Sequence, residues 1–247
     1  MVVLALPKGE LFEGSLSRLE AAGLDTGPLR QAGRRLIVEA PVDGIRYLLL
    51  RPSDVPTYVE YGAADLGIVG KDVLLEQGRR VMELEDLDFG ECRFVVARPR
   101  QRPATVSGST GAASEKTAPA PESAAGVPGA PAAPGPAIVS GEVRVATKYP
   151  RVASEYYARS GVQAEIIRLR GSVELAPDTG LADEIVDLAA TGRTLEAHGL
   201  EVVDVIHECS ARLIANHVSH RLKSSAGDLA GRLAGRPTRR SAGAVDR

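Results

Sequence analysis

The chain has 247 residues, enough for one large domain or two smaller ones with cores of their own. Its 30 Lys/Arg and 32 Asp/Glu leave a net charge of −2, which gives no case for a nucleic-acid binder. Cys92 and Cys209 are far apart and, with four scattered histidines, offer no metal-ligand spacing; both are expected to be reduced and buried in a cytoplasmic protein.

The apolar start before Pro7 is too short for a signal peptide. No run approaches the ~18 apolar residues of a membrane span. VVLAL (2–6) reads as a strand, and LFEGSLSRLEAAG (11–23) as a helix with Leu11, Leu16 and Leu19 on one side and Gly23 as its stop. RRLIVEAP (34–41) and GIRYLLLR (44–51) read as a hairpin across Val42-Asp43. The helix DVPTYVEYG follows, capped by Ser53 or Asp54. ADLGIVGKDVLLEQG then gives strand, turn and helix, and FGECRFVVAR (89–98) a longer strand.

Residues 101–140 break the pattern, with seven prolines, no aromatic residue and no Leu. Such a segment cannot bury enough apolar surface to offset its ordering entropy, and it reads as a disordered insertion in a surface loop. Beyond it come a strand, EVRVATKYP (142–150), a helix, RVASEYYARSG, and a strand, QAEIIRLRG. LADEIVDLAATG is expected within a helix, and GLEVVDVIHECSARLIANH as one long strand pair. From Arg221 onward seven basic residues face only Asp228 and Asp246, which suggests a solvated tail.

Strands alternating with helices imply an α/β architecture with largely parallel sheets. Two such blocks suggest two lobes with a binding cleft between them. The expected division is 1–98 plus 200–222 for lobe I, 141–199 for lobe II, the 101–140 insertion, and a flexible basic tail at 223–247.

Three loops at the ends of these elements carry chemistry. In LPKGE, Lys8 is a mobile charge suited to a phosphate and Gly9 permits close backbone approach, although a plain strand-to-helix turn explains both. In GIVGKD, the backbone donors after Gly70 could bind an anion, or Asp72 could cap the helix and leave nothing for a ligand. In DLAATGRTL, Thr191, Gly192, Arg193 and Thr194 offer two hydroxyls and consecutive N–H groups, a concave cradle for a phosphate. Asp187 lies close enough to meet the hydroxyls of a phosphosugar. The competing reading is a helix C-terminus with Gly192 as its cap and Asp183 one turn before Asp187.

In order, LALPKG, LLLRPSDVPTYVEYGAADLGIVGKDVLLE, RVATKYP, SVELAP, GLADEIVDLAATGRTLEAHGL and SARLIANHVS resemble the catalytic subunit of the ATP phosphoribosyltransferase family. The likeness covers roughly 2–98 and 142–222. It implies a two-lobed, periplasmic-binding-protein-like (type II) α/β fold with the active site between the lobes. It also implies attack by adenine N1 of ATP on the anomeric carbon of phosphoribosyl pyrophosphate, with Mg²⁺ as cofactor. Carried over by position, Arg34, Lys8 and Asp187 become the catalytic residues, with Arg34 on the leaving pyrophosphate. Glu174, Asp187, Ala190, Thr191, Gly192, Arg193 and Thr194 hold the phosphoribosyl group. Lys8, Arg51, Asp65, Gly70, Lys71, Lys148 and Tyr149 line the nucleotide side. No protein metal cluster is implied.

The resemblance is to the short form, with no regulatory domain after SARLIANHVS. It implies a homodimer of catalytic chains within a hetero-oligomer containing a regulatory subunit similar to histidyl-tRNA synthetase. Glu10 departs from the pattern, since the family usually has Arg there. A salvage phosphoribosyltransferase ranks lower, because Ile185-Val186 leads into Asp187-Leu188 rather than two adjacent acids. A solute-binding module on the same fold would carry an export signal. An inactive scaffold is raised only by Glu10.

Overall fold

Apolar runs without polar alternation belong in strands covered on both faces, and VVLALP and LGIVG become such strands. The computed structural model describes residues 1–100, 142–190 and 192–235. The expected disordered insertion (101–140), Thr191 and the end of the expected tail (236–247) lie outside the described residues.

Lobe I contains β1 (Val2–Pro7), α1 (Leu11–Ala21), the short α2 (Gly27–Arg30), β2 (Ile37–Ala40), β3 (Ile45–Leu50), α3 (Val55–Glu60), β4 (Leu66–Gly70), α4 (Lys71–Gln77) and β5 (Met82–Asp86). Lobe II contains β6 (Cys92–Pro99), β7 (Val143–Thr147), α5 (Pro150–Ser160), β8 (Ala164–Arg168), β9 (Glu184–Ala189), α6 (Arg193–Ala197) and β10 (Leu200–Cys209). The chain then returns to lobe I for β11 (Ala211–Ala215), α7 (His217–Leu222) and α8 (Ser224–Leu233).

The lobe I sheet runs β2-β3-β1-β4-β11-β5, with β1, β3 and β4 parallel and β2 and β11 antiparallel to their neighbours. The lobe II sheet runs β10-β6-β9-β7-β8, with β7, β8 and β9 parallel. Each sheet has apolar clusters on both faces. In β6 the two-residue period sends Phe94 and Val96 to one cluster and Val95 and Ala97 to the other. In β4, Gly67 leaves room for α3: a Cβ there would strike Val55 and Val59. This is the two-lobed, periplasmic-binding-protein-like architecture expected from the sequence.

Two short crossings, residues 87–91 and Ser210, join the lobes. They are tied together where Leu87 N donates to Ala211 O (2.9 Å) and Ala211 N to Phe89 O (2.8 Å). Ser210 Oγ donates to Asp86 Oδ1 at 2.7 Å. Both crossings therefore form one hydrogen-bonded neck.

Four expectations change. LADEIVDLAATG is not helical: residues 184–189 form β9, sandwiched between β6 and β7, where both strand faces are buried. Tertiary pairing overrides an apolar pattern short enough to suit either element. GLEVVDVIHECSARLIANH is not a strand pair, because β10 and β11 belong to different sheets. The lobe boundaries move accordingly, since β6 (within the expected 1–98) and β10 (within the expected 200–222) both belong to the lobe II sheet. Finally, residues 224–233 of the expected flexible tail form α8, which buries Ala226, Leu229, Ala230 and Leu233 in the lobe I core beside α1. Two alanines in the stripe, set between basic residues, had hidden it. A smaller difference concerns α3, where neither Ser53 nor Asp54 makes the expected side-chain cap.

Lys223, just before α8, reaches Asp65 with Nζ 2.7 Å from Oδ1. The Asp65 side chain is only 2% exposed and also accepts from Val3 N at 2.9 Å. Burial would raise the Asp65 pKa, but Lys223, Ser219 and the Val3 N–H together bring it below the ordinary carboxylate value. Lys223→Ala should cost about 1–2 kcal/mol at neutral pH, because it strands a desolvated carboxylate while the lysine itself is half-exposed. A depressed folded pKa contributes stability that is lost as pH falls through it. Urea unfolding of parent and variant should therefore converge on acidification below the ordinary carboxylate range.

Candidate active site

The parallel strands of both lobes point their C-terminal ends toward a cleft with a cavity of about 720 Å³, within the usual range for small-molecule sites. From lobe I, Lys8 and Glu10 follow β1, and Gly70 and Asp72 lie at the β4–α4 turn. Gly9 between the first two has φ +93°, which a residue with a Cβ rarely adopts. Across the cavity, lobe II presents Lys148, Tyr149, Glu174, Asp187, Ala190, Gly192 and Thr194. Residues predicted for both substrates thus meet in one space.

The correction to β9 sharpens the cradle. Asp187 lies on the strand, and Gly192, at φ +76°, sits at the N-terminal side of α6 rather than closing a helix. Ala190, Gly192 and Thr194 therefore lie between the end of β9 and the first turn of α6, and all three line the cleft. Asp183, expected one helical turn from Asp187, is instead four strand positions away, about 13 Å at ~3.3 Å per residue. It pairs with Arg144 at 2.8 Å and takes no part in the site.

Asp187 is held by its own neighbours. Its Oδ1 accepts from Leu188 N at 2.8 Å, and Lys148 Nζ lies 3.8 Å from Oδ2. Burial pushes its carboxyl above the ordinary value; the Leu188 N–H and Lys148 oppose this, and the Glu174 charge adds to it. The turn carrying Lys148 is pinned by buried Thr147, whose Oγ1 donates to Val186 O (2.7 Å) and accepts from Tyr149 N (2.9 Å). Tyr149 packs edge-on against Phe94 with ring centroids 4.9 Å apart. Its phenol is driven upward, chiefly by burial. Glu174 stands on a 3₁₀ turn (Val173–Leu175) entered through Ser172 at φ 49°, a left-handed conformation uncommon for a residue other than glycine.

Other predicted residues fall outside the cavity wall. Arg51 follows β3, and Lys8 N donates to Leu50 O at 2.7 Å. Arg34 precedes β2, where Leu49 N donates to Leu36 O at 2.8 Å. All three cations therefore gather at one end of the lobe I sheet, with Arg34 and Arg51 exposed on the rim beyond Lys8. Arg193 is exposed at the start of α6. Lys71 turns away to Glu83, 2.6 Å distant. Asp65 is at the opposite end of β4 from Gly70, buried against Lys223, and cannot face a nucleotide in the cleft.

The sequence reading missed part of the wall. Asp72 was weighed only as a cap; the N-cap of α4 is Gly70, and the Asp72 carboxyl meets first-turn N–H groups of Val73 and Asp72. Asp72 also lines the cleft, with its carboxyl raised by burial, against the opposing Val73 N–H, and by the nearby Glu10 charge. Its place two residues past a buried glycine-ended strand was the available signal. Cys92 also lines the cavity and is half-buried, whereas Cys209, opposite it across β6 and β10, is buried; both are free.

A family model described as ATP phosphoribosyltransferase matches residues 51–235. The chain is 48% identical to the ATP phosphoribosyltransferase of Moorella thermoacetica over 222 residues, covering 90% of this chain and 86% of that one. It is 50% identical over 221 residues to the enzyme of the same name from Rubrobacter xylanophilus, covering 89% and 88%. Among solved structures, the Thermotoga maritima ATP phosphoribosyl transferase (HisG:HisZ) complex contains a chain 32% identical, with TM-score 0.68 and coverage of 95% and 97%. The periplasmic domain of Bordetella pertussis BvgS, 14% identical with TM-score 0.50 and coverage of 93% and 39%, shares the fold alone.

Proposed function

The chain belongs to the ATP phosphoribosyltransferase family, and on that premise we propose how its cleft divides the work. As a phosphoribosyltransferase it condenses ATP with phosphoribosyl pyrophosphate in the first step of histidine biosynthesis, giving phosphoribosyl-ATP and pyrophosphate. The observation that supports the site assignment is that Ala190, Gly192 and Thr194, directly beyond Asp187, line the cleft across from Lys8.

In this reading the N–H groups of the 190–194 turn, with the Thr194 hydroxyl, receive the 5′-phosphate of the phosphoribosyl group. Asp187 and Glu174 accept from the ribose hydroxyls. As adenine N1 approaches the anomeric carbon and pyrophosphate departs, positive charge grows on the ribose and negative charge on the leaving group. Asp187 stabilises the first; Lys8, with Arg34 and Arg51 from the rim, stabilises the second. Lys148 and Tyr149 form the nucleotide side, near Gly70 and Asp72.

The cleft wall carries Lys8 and Lys148 against Glu10, Asp72, Glu91, Glu174 and Asp187. Two polyanionic substrates cannot share such an acidic space without added cations, which supports Mg²⁺ as cofactor. Among the described residues no group of three or more His, Cys, Asp or Glu side chains is placed to hold a metal. We assign the ion mainly to substrate phosphates, with Glu174 or Asp187 as protein oxygen donors. The ion would neutralise charge on the departing pyrophosphate. Glu10 adds to the acidity and increases the need for the rim cations.

We also place the chain in the cytoplasm, as a dimer of catalytic subunits working with a separate regulatory subunit. Its similarity to a chain of the Thermotoga maritima HisG:HisZ complex supports that partner; no helix among the described residues is long and apolar enough to cross a membrane. ATP, phosphoribosyl pyrophosphate and Mg²⁺ should yield pyrophosphate, and chelating the metal should abolish it. Histidine should inhibit only when the regulatory subunit is present. Absence of pyrophosphate with chain and regulatory subunit together would overturn the assignment.

A further inference from the structure

One helix belongs to both lobes. On α4, Val73 and Leu74 pack into the apolar cluster behind the lobe I sheet, while Leu75 packs against the lobe II cluster containing Phe94 and Val152. Glu76 then crosses the gap. Its carboxylate accepts from the backbone N–H of Arg151 (3.1 Å to Oε2, 3.3 Å to Oε1) and of Val152 (3.1 Å).

Those donors are in the first turn of α5, where Tyr149 is the N-cap and makes no side-chain cap bond. Unpaired N–H groups at a helix start require an acceptor, and here a carboxylate from the other lobe supplies it. Next to this contact the Arg151 guanidinium lies over Gly78, in space that any Cβ at position 78 would occupy. Lys148 and Tyr149, on the cleft wall, immediately precede the helix that Glu76 holds.

We propose that Glu76 is a positioning residue: by capping α5 from α4 it ties the lobes together and sets where Lys148 and Tyr149 stand in the cleft. Separating the lobes breaks both hydrogen bonds and exposes Leu75, so this contact holds the cleft wall together on the side of α4 and α5. The kinetic consequence rests on the nucleotide role proposed for Lys148 and Tyr149; the geometric one does not.

The test compares the full chain with Glu76→Ala and Glu76→Gln. Small-angle X-ray scattering of the ligand-free proteins should give a larger radius of gyration for the Ala variant. Its KM for ATP should rise about tenfold, the scale expected for losing charge-assisted hydrogen bonds, while kcat and the KM for phosphoribosyl pyrophosphate stay within about twofold. Gln retains one carbonyl acceptor and should recover most of both effects. Unchanged scattering would overturn the proposal, as would equal rises in both KM values accompanied by a lowered thermal midpoint, which would mark a residue that merely stabilises the fold. Were the parent chain to release no pyrophosphate, scattering alone would decide the inter-lobe tie, and the functional assignment would fall separately.

Discussion

Asp187→Asn should lower turnover about 10²–10³-fold, the scale seen when one preorganised electrostatic partner of a transition state is lost. Asn retains the volume and an oxygen for Leu188 N, so the strand and its hydrogen bond survive. What it removes is the negative charge proposed to face an oxocarbenium-like ribose. The environment of Asp187 gives the prediction a second half. Burial and Glu174 hold its carboxyl above the ordinary value despite Lys148 and the Leu188 N–H. The parent should therefore lose kcat/KM as pH falls through this raised pKa, at a higher pH than an exposed aspartate would dictate. The Asn variant should lack that acidic limb. Stability should move the other way. A carboxyl with a raised folded pKa costs stability as pH climbs past its unfolded value, because the unfolded chain ionises first. At neutral pH the variant should melt at the same temperature as the parent or slightly higher. A variant both slower and markedly less stable would assign Asp187 to the fold.

Arg34→Ala should reduce kcat about 10²–10³-fold with ATP affinity nearly unchanged. Arg34 is exposed on the loop before edge strand β2, away from the apolar core, so its loss should not disturb packing. Its guanidinium offers a planar fork suited to two pyrophosphate oxygens, which a lysine cannot match. In the role proposed for Arg34, negative charge on those oxygens grows as the glycosidic bond breaks, so the contact would be stronger in the transition state than in the ground state. Arg34→Lys should recover only part of the rate. Stopped-flow single-turnover measurements separate this from product release; an unchanged chemical step would remove Arg34 from the leaving-group role.

The contrast between these two residues shows what the sequence could convey. The strands VVLALP and LGIVG were legible because continuous apolar runs bounded by glycine or proline suit covered parallel strands. The proposed phosphate cradle stood out in sequence as a cluster of hydroxyls and a glycine, but its place between a strand and a helix did not. EIVDLA has apolar positions compatible with either period, and only its place between β6 and β7 decides for a strand. That decision moved Gly192 from the end of one helix to the start of another, and separated Asp183 from the site. The parting of β10 and β11 at Ser210 was equally hidden, since a single residue carries the chain between sheets without a turn signal. Asp65 misled for a related reason. Local sequence placed it beside GIVGKD, whereas its partner Lys223 lies 158 positions away. Asp72 went unassigned because a capping role explained it locally, and only the assembled cleft showed it facing Glu10.

The most direct test of the account is a crystal structure of the full chain with phosphoribosyl pyrophosphate and Mg²⁺. It should show the 5′-phosphate in the turn from Ala190 to Thr194, the ribose hydroxyls on Asp187 and Glu174, and the pyrophosphate directed toward Lys8, Arg34 and Arg51. A 5′-phosphate bound instead at Lys8 and Gly9, with the 190–194 turn free of ligand, would contradict it.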